Sequence, residues 1–191
     1  MSGSGAFVAV VGPSGAGKDT LIAGARDALA GDDRFAFPAR WITRPPDETE
    51  RSEELSADEW SRRCQAGECA LSWQAHGIAY AIPASVDGDI GAGRLVVVNV
   101  SRGVLAQALA RFPRVAALCV TASPETLAAR LAARAREGAA DRARRLARAP
   151  RPLPEGLCSV EIGNDGTREE ALAAFVAALE TLCAASANPK R

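Results

Sequence analysis

Nine consecutive residues, Gly12-Pro13-Ser14-Gly15-Ala16-Gly17-Lys18-Asp19-Thr20, carry the spacing G-x-x-x-x-G-K, a pattern suited to binding polyphosphate. Gly12, Gly15 and Gly17 admit backbone angles closed to other residues, so the N–H groups of the loop can turn inward as an anion nest. A helix starting near Gly17 adds unpaired N–H groups and the positive end of its dipole. Lys18 adds a mobile cation for β- and γ-phosphates. The next position departs from the usual pattern. Ser or Thr normally stands there and its hydroxyl ligates Mg²⁺, but here Asp19 follows the lysine and Thr20 comes next. A carboxylate is a good oxygen ligand for Mg²⁺. Asp19, directly or through water, and Thr20 are both candidates for the metal.

A second concentration of charge lies far along the chain. Arg130, Arg134, Arg136, Arg142, Arg144, Arg145, Arg148 and Arg151 crowd one stretch, while lysine occurs only at Lys18 and Lys190. Arg130 and Arg134 are one helical turn apart and share a face, and so do Asp141 and Arg145. Alone, such a run is a solvated helical surface. Behind a nucleotide-triphosphate loop it reads as a lid over residues 130–150, whose arginines stabilise charge on the transferred phosphoryl group. Closing such a lid excludes water from the reaction. Arg44 ends a short strand and can grip an acceptor phosphate bidentately. His76 and Tyr80 are the only His and Tyr, and no Ser-His-Asp set is present. Phosphoryl transfer depends on positioning and charge more than on a strong base, so no general base is assigned.

These residues need a scaffold, and the periodicity supplies one. The apolar run at 6–11 reads as a strand and 17–30 as a helix. A short strand follows at 40–43, ended by Pro45-Pro46, with a charged segment over 47–54. Ser56-Ala57-Asp58-Glu59 fits the capping pattern S-x-x-E, so a helix is expected to about Gln65. Residues 69–72 and 78–82 form a hairpin around Ala75-His76-Gly77. Further strands are expected at 95–98, 115–120 and 159–162. Helices are expected at 86–92, 101–112, 124–136, from after Gly138 to about Arg148, and 167–184, with Pro150, Pro152 and Pro154 as a stiff connector. Alternating strands and helices give an α/β fold, a mostly parallel five-stranded sheet flanked by helices. Ligands in such sheets bind beyond the strand C-termini. The glycine loop, Thr43-Arg44, Asn99 to Arg102 and Asn164 to Gly166 are expected to converge there.

With 191 residues the chain is read as one domain, spanning 1–191, with an acceptor-binding subregion at about 44–83. Its apolar fraction is 48% and its formal net charge zero, which gives no electrostatic case for nucleic acid or an anionic membrane. Five cysteines without C-x-x-C spacing and one histidine argue against zinc. Cys119 and Cys158 read as core packing. No secretory signal and no apolar run near 18 residues is present, so a reducing, cytoplasmic setting is expected.

The glycine loop, Thr43-Arg44, the Arg130-x-x-x-Arg134-x-Arg136-Glu137 segment and Asn164-Asp165 resemble the guanylate-kinase-like branch of the nucleoside-monophosphate kinases. A closer resemblance is to the ribose 1,5-bisphosphate phosphokinases, ATP-dependent kinases of phosphonate breakdown. It rests on Gly17-Lys18-Asp19 with a hydroxyl next, Arg40-Trp41-Ile42-Thr43-Arg44, Ala70 through Gly77, Val98-Asn99-Val100-Ser101-Arg102 and Asn164-Asp165-Gly166. It implies a P-loop kinase that uses ATP and Mg²⁺ to convert a small sugar phosphate, ribose 1,5-bisphosphate, to 5-phosphoribosyl 1-diphosphate. By the same resemblance the loop from Gly12 to Lys18 holds ATP phosphates and Asp19 and Thr20 serve Mg²⁺. Arg130, Arg134, Arg136 and Arg145 join Lys18 in catalysis, and Asn164 lies near adenine. Arg44, Tyr80, Ser101 and Arg102 face the sugar phosphate. The chain departs from guanylate kinases in lacking their glycine within 47–51, in having Asn99 where they carry an acidic residue, and in having Ala81 after Tyr80. GMP is therefore the weaker candidate as acceptor. A nucleotide kinase and a non-catalytic guanylate-kinase-like binding module are the competing readings.

Overall fold

A computed structural model of the chain describes residues 5–47, 50–75, 77–133 and 152–187. At its centre is β1 (Ala6–Val11), apolar throughout and buried at every position. On one side it pairs in parallel with β7 (Leu95–Asn99), and on the other with β8 (Val115–Thr121). Beyond them lie β2 (Phe35–Ala36), parallel to β7, and β9 (Cys158–Gly163), parallel to β8. The five-stranded order is β2-β7-β1-β8-β9.

Alternation along β1 sends its side chains into two cores. Ala6, Val8 and Val10 pack with Leu21 and Ala25 of α1 (Lys18–Ala28) and with Phe175 and Leu179 of α6 (Arg168–Ala187). Phe7, Ala9 and Val11 face Val86 and Ile90 of α3 (Val86–Gly91) and Leu105 and Ala108 of α4 (Leu105–Arg111). Phe7 and Phe175 are fully buried, each stabilising the fold by about 1.5–3 kcal/mol. The expected sheet covered on both faces is thus observed. On the second side Phe7 stacks on Phe112, with ring centroids 4.6 Å apart.

The strand expected at 40–43 belongs elsewhere. As β3 (Arg40–Ile42) it joins a second, mixed sheet of order β4-β3-β6-β5. Its partners are β4 (Ser52–Glu54), running parallel, and β6 (Ile78–Pro83), running antiparallel; β6 in turn pairs with β5 (Cys69–Ala75). The end of the charged 47–54 segment is therefore a strand. Its alternating Ser52, Glu53 and Glu54 carry no apolar signal because β4 is an edge strand with little burial. Beneath this sheet Trp41, Leu55 and Ala81 make a small core with Trp60 of α2 (Ala57–Gln65). Ser56 caps α2 as its spacing requires, its Oγ accepting from Glu59 N at 3.1 Å.

One cysteine expectation fails, and one cysteine pair was not foreseen. Cys64 and Cys69 form a disulfide that fastens the end of α2 to the start of β5. Cys158 is exposed rather than packed, because β9 is an outer strand and its first residue lies at the rim. Cys119 is buried and free, and burial pushes its thiol pKa up. The helix expected at 101–112 opens as a 3₁₀ turn (Arg102–Val104) before α4. α5 (Pro124–Ala133) is described to Ala133, and the remaining lid arginines lie outside the described residues. Among the described residues no helix is long and apolar enough to cross a membrane.

Candidate active site

The glycine loop leaves β1 at the C-terminal edge of the main sheet and enters α1 through Gly17, whose φ of 89° is left-handed. Glycine is needed at two points for different reasons. A Cβ on Gly12 would overlap the Val120 carbonyl of β8, so the loop can run this close to the sheet only without a side chain. A Cβ on Gly17 would overlap Asn164 Nδ2 and would also carry the left-handed strain.

Lys18 Nζ curls back over the loop and donates to the carbonyls of Gly12 at 3.0 Å and Pro13 at 2.8 Å. Asn164 lies beneath the loop, 6% exposed, and its Nδ2 donates to Ala16 O at 2.7 Å. Its backbone N–H is held by Thr121 O at the end of β8, and its own carbonyl accepts from Arg130 Nη2 at 2.9 Å. Arg130 Nη1 is buried without a hydrogen-bond partner, 3.9 Å from where a Gly17 Cβ would sit. A guanidinium with an unspent donor beside an anion nest fits a phosphate group.

Neighbouring Asp165 accepts from Ser123 N at 2.8 Å. That hydrogen bond, helped by the Thr126 and Ser123 hydroxyls, holds its carboxyl below the usual carboxylate range. Asn164 and Asp165 thereby anchor the loop, and the start of α5, to the end of β9.

Across from the loop the second sheet presents its own charges. Arg40, 7% exposed, donates through Nη1 to Asn99 O at 3.0 Å and so ties β3 to the end of β7. Its Nη2 is in close contact with Glu50 Oε1 and lies 3.6 Å from Asp19 Oδ1. Glu50 also pairs with Arg44, Nη2 to Oε2, at 2.8 Å. Burial works against the charge of Arg44, but Glu50, with Tyr80 and Asp47, outweighs it and holds its pKa above the usual guanidinium value. Asp19 Oδ1 accepts from Asn99 Nδ2 at 2.8 Å. Tyr80 stacks on Trp73 at 5.2 Å and lies under the Arg40 guanidinium at 5.9 Å.

The structure therefore brings together Gly12 to Thr20, Asn164 and Arg130 on one side, and Arg44 and Tyr80 on the other. Thr20 lies half-buried on the first turn of α1. Ser101 is exposed, its Oγ accepting from Gly103 N at 3.3 Å; it and Arg102 follow β7 at the same edge, where the 3₁₀ turn lies against β5. Arg134, Arg136 and Arg145 fall outside the described residues. Arg40, Glu50 and Asn99 are central here; the sequence placed Asn99 at this edge but gave none of the three a role. The available signal was Arg40 itself, a charge opening a short apolar strand, which needs a buried partner. Nothing in 47–51 says which carboxylate that partner is.

Among the described residues no group of three or more His, Cys, Asp or Glu converges. A Mg²⁺ that keeps its waters and binds substrate phosphates does not need one. Asp19, half-exposed on the first turn of α1, offers the hard oxygen such an ion takes.

Over 179 residues the chain is 51% identical to ribose 1,5-bisphosphate phosphokinase PhnN of Acidiphilium cryptum, covering 94% of each chain. The chain belongs to the ribose 1,5-bisphosphate phosphokinase family. The homonymous protein of Methylobacterium radiotolerans is 48% identical over 177 residues, covering 92% of this chain and 97% of that one. Guanylate kinase from Anaplasma phagocytophilum superposes with a TM-score of 0.62 at 17% identity, over 95% of this chain and 87% of that one; this kinase shares its fold. No protein-family model matches the chain.

Proposed function

We propose that the protein transfers the γ-phosphoryl group of ATP to the 1-phosphate of ribose 1,5-bisphosphate, giving 5-phosphoribosyl 1-diphosphate and ADP. An oxygen of the acceptor phosphate forms the new bond to γ-phosphorus as the bond to the β-phosphate oxygen breaks. The observation that carries this reading is an intact phosphate loop facing two arginines across Asp19, Arg40 buried and Arg44 half-buried. Two phosphate-handling surfaces with a carboxylate between them suit phosphate-to-phosphate transfer.

The roles follow from position. The loop from Gly12 to Lys18 binds the ATP phosphates through its N–H groups, and Lys18 exchanges its two carbonyl contacts for phosphate oxygens. Asp19, with Thr20 beside it, would hold Mg²⁺; when bound, that ion neutralises the β- and γ-oxygens. Arg130 turns its unpartnered Nη1 to the same charge. By their sequence positions Arg134, Arg136 and Arg145 complete the cationic cover. Asn164 keeps the loop in register from below, in reach of the nucleotide. Arg44, Tyr80, Ser101 and Arg102 line the acceptor side, with Arg44 as the bidentate clamp. Use of ATP and a sugar phosphate puts this work in the cytoplasm.

The test is ADP release with ATP·Mg²⁺, with ribose 1,5-bisphosphate and GMP run side by side and the product read by ³¹P NMR. Turnover with the sugar bisphosphate and a new diphosphate doublet is the expected result. Turnover with GMP alone sinks the reading and returns the protein to the nucleotide kinases.

A further inference from the structure

Arg40 stands between two carboxylates and is shared unequally. Its Nη2 is in close contact with Glu50 Oε1, whereas Asp19 Oδ1 lies 3.6 Å away. The side chain of Glu50 is only 3% exposed and that of Arg40 8%, so this pair is screened far less than a surface pair. Asp19, 34% exposed, is the open end of the chain of charges. Asn99 orients Asp19 without adding charge, since its amide donates to Oδ1. Among the described residues both contacts on Asp19 fall on Oδ1 and neither on Oδ2.

We propose that Glu50 is a positioning residue that holds Arg40 away from Asp19 and so keeps the Asp19 carboxylate available to a divalent cation. A guanidinium paired fully with Asp19 would occupy the metal ligand with a cation built into the fold. Glu50 prevents this by giving Arg40 a nearer and more deeply buried partner, and Arg44 holds Glu50 from its other side at 2.8 Å. The phosphate loop and the second sheet are thereby coupled: with Arg40 in place, Asp19 is usable only while Glu50 holds that guanidinium. The inference rests on the reading of Asp19 as a ligand to the metal of the nucleotide.

The test is Mn²⁺ binding to the protein with ADP bound, followed by electron paramagnetic resonance, which needs no turnover. Glu50→Gln keeps the shape and removes the charge. Arg40 then passes to Asp19, and one charge-assisted pair competing with the metal weakens Mn²⁺ binding about tenfold. The double variant Arg40→Met/Glu50→Gln removes the competing cation as well and restores affinity to within about threefold of the parent. That double variant leaves no charge of the Arg40–Glu50 pair buried without its partner, the loss that destabilises most when only one member is removed. Asp19→Asn weakens Mn²⁺ at least as much, and Glu50→Gln added to it has no further effect.

Unchanged Mn²⁺ affinity in folded Glu50→Gln overturns the proposal, as does a double variant that stays as weak as the single one. Unchanged affinity in Asp19→Asn also overturns it. If Glu50→Gln does not fold, Glu50→Asp serves in its place, with an intermediate weakening expected and parental affinity overturning the idea. A parent enzyme that binds Mn²⁺·ADP as described but leaves ribose 1,5-bisphosphate untouched would refute the proposed reaction and not this inference.

Discussion

Gly17→Ala should break the phosphate loop through Asn164. Two costs can be worked from the structure. The residue sits at φ 89°, where an L side chain costs roughly 1–2 kcal/mol. The new Cβ also displaces Asn164 Nδ2, which donates to Ala16 O at 2.7 Å in a buried setting. Losing that bond and leaving its partners unpaired costs about 1–3 kcal/mol. The sum, about 2–5 kcal/mol, is a large part of the stability of an ordinary domain. At about 2–4 °C per kcal/mol for a chain of this size, Tm should fall by roughly 4–20 °C. The decisive assay is a double-mutant cycle in thermal unfolding with Asn164→Ala. Because Gly17→Ala has already broken the Asn164 bond, the second change should add little. The double variant should lie about 1–3 kcal/mol above the sum of the singles in stability. Strict additivity, or a Gly17→Ala protein as stable as its parent, would refute the steric account of the loop.

Two further perturbations probe the same edge. Lys18→Ala removes hydrogen bonds to the Gly12 and Pro13 carbonyls in a partly exposed loop, so the fold should persist while kcat falls about a thousandfold. Loss of the circular-dichroism spectrum together with activity would instead make the lysine a structural element. For Asp165, whose folded pKa is depressed chiefly by the Ser123 N–H, the stabilisation is present above the ordinary carboxylate pKa. It is lost as pH falls through the lower folded value. Asp165→Asn should thus lower Tm at neutral pH and flatten the decline of Tm below about pH 4; parallel acid limbs in the two proteins would contradict the assignment.

What could be read without coordinates acts within a few residues. The G-x-x-x-x-G-K spacing between an apolar strand and a helix specifies the loop, because backbone freedom at glycine and the orphan N–H groups of a helix start are local properties. The Ser56 cap of α2 and the hairpin of β5 and β6 are local in the same way. Continuous apolar runs at β1, β7 and β8 marked strands buried on both faces, and both cores are there.

Where a strand finds its partner is another matter. Arg40-Trp41-Ile42 is equally good strand in either sheet, and only the register of Trp41 with Ala81 and Ile42 with Tyr80 puts it in the second one. The Cys64–Cys69 disulfide depends on how α2 turns back onto β5. The same holds for the charges. Arg40 meets Asn99 across 59 positions and Asn164 meets Ala16 across 148, distances over which a sequence pattern carries no pairing information. The sequence by itself determined a phosphate loop, the strands and helices that present it, and the family's set of arginines. Only the tertiary structure decided that Glu50 takes Arg40, that Asn99 orients Asp19, and that Asn164 supports the loop from below. A buried charge or amide must be satisfied by whatever group the packed chain brings within hydrogen-bond reach.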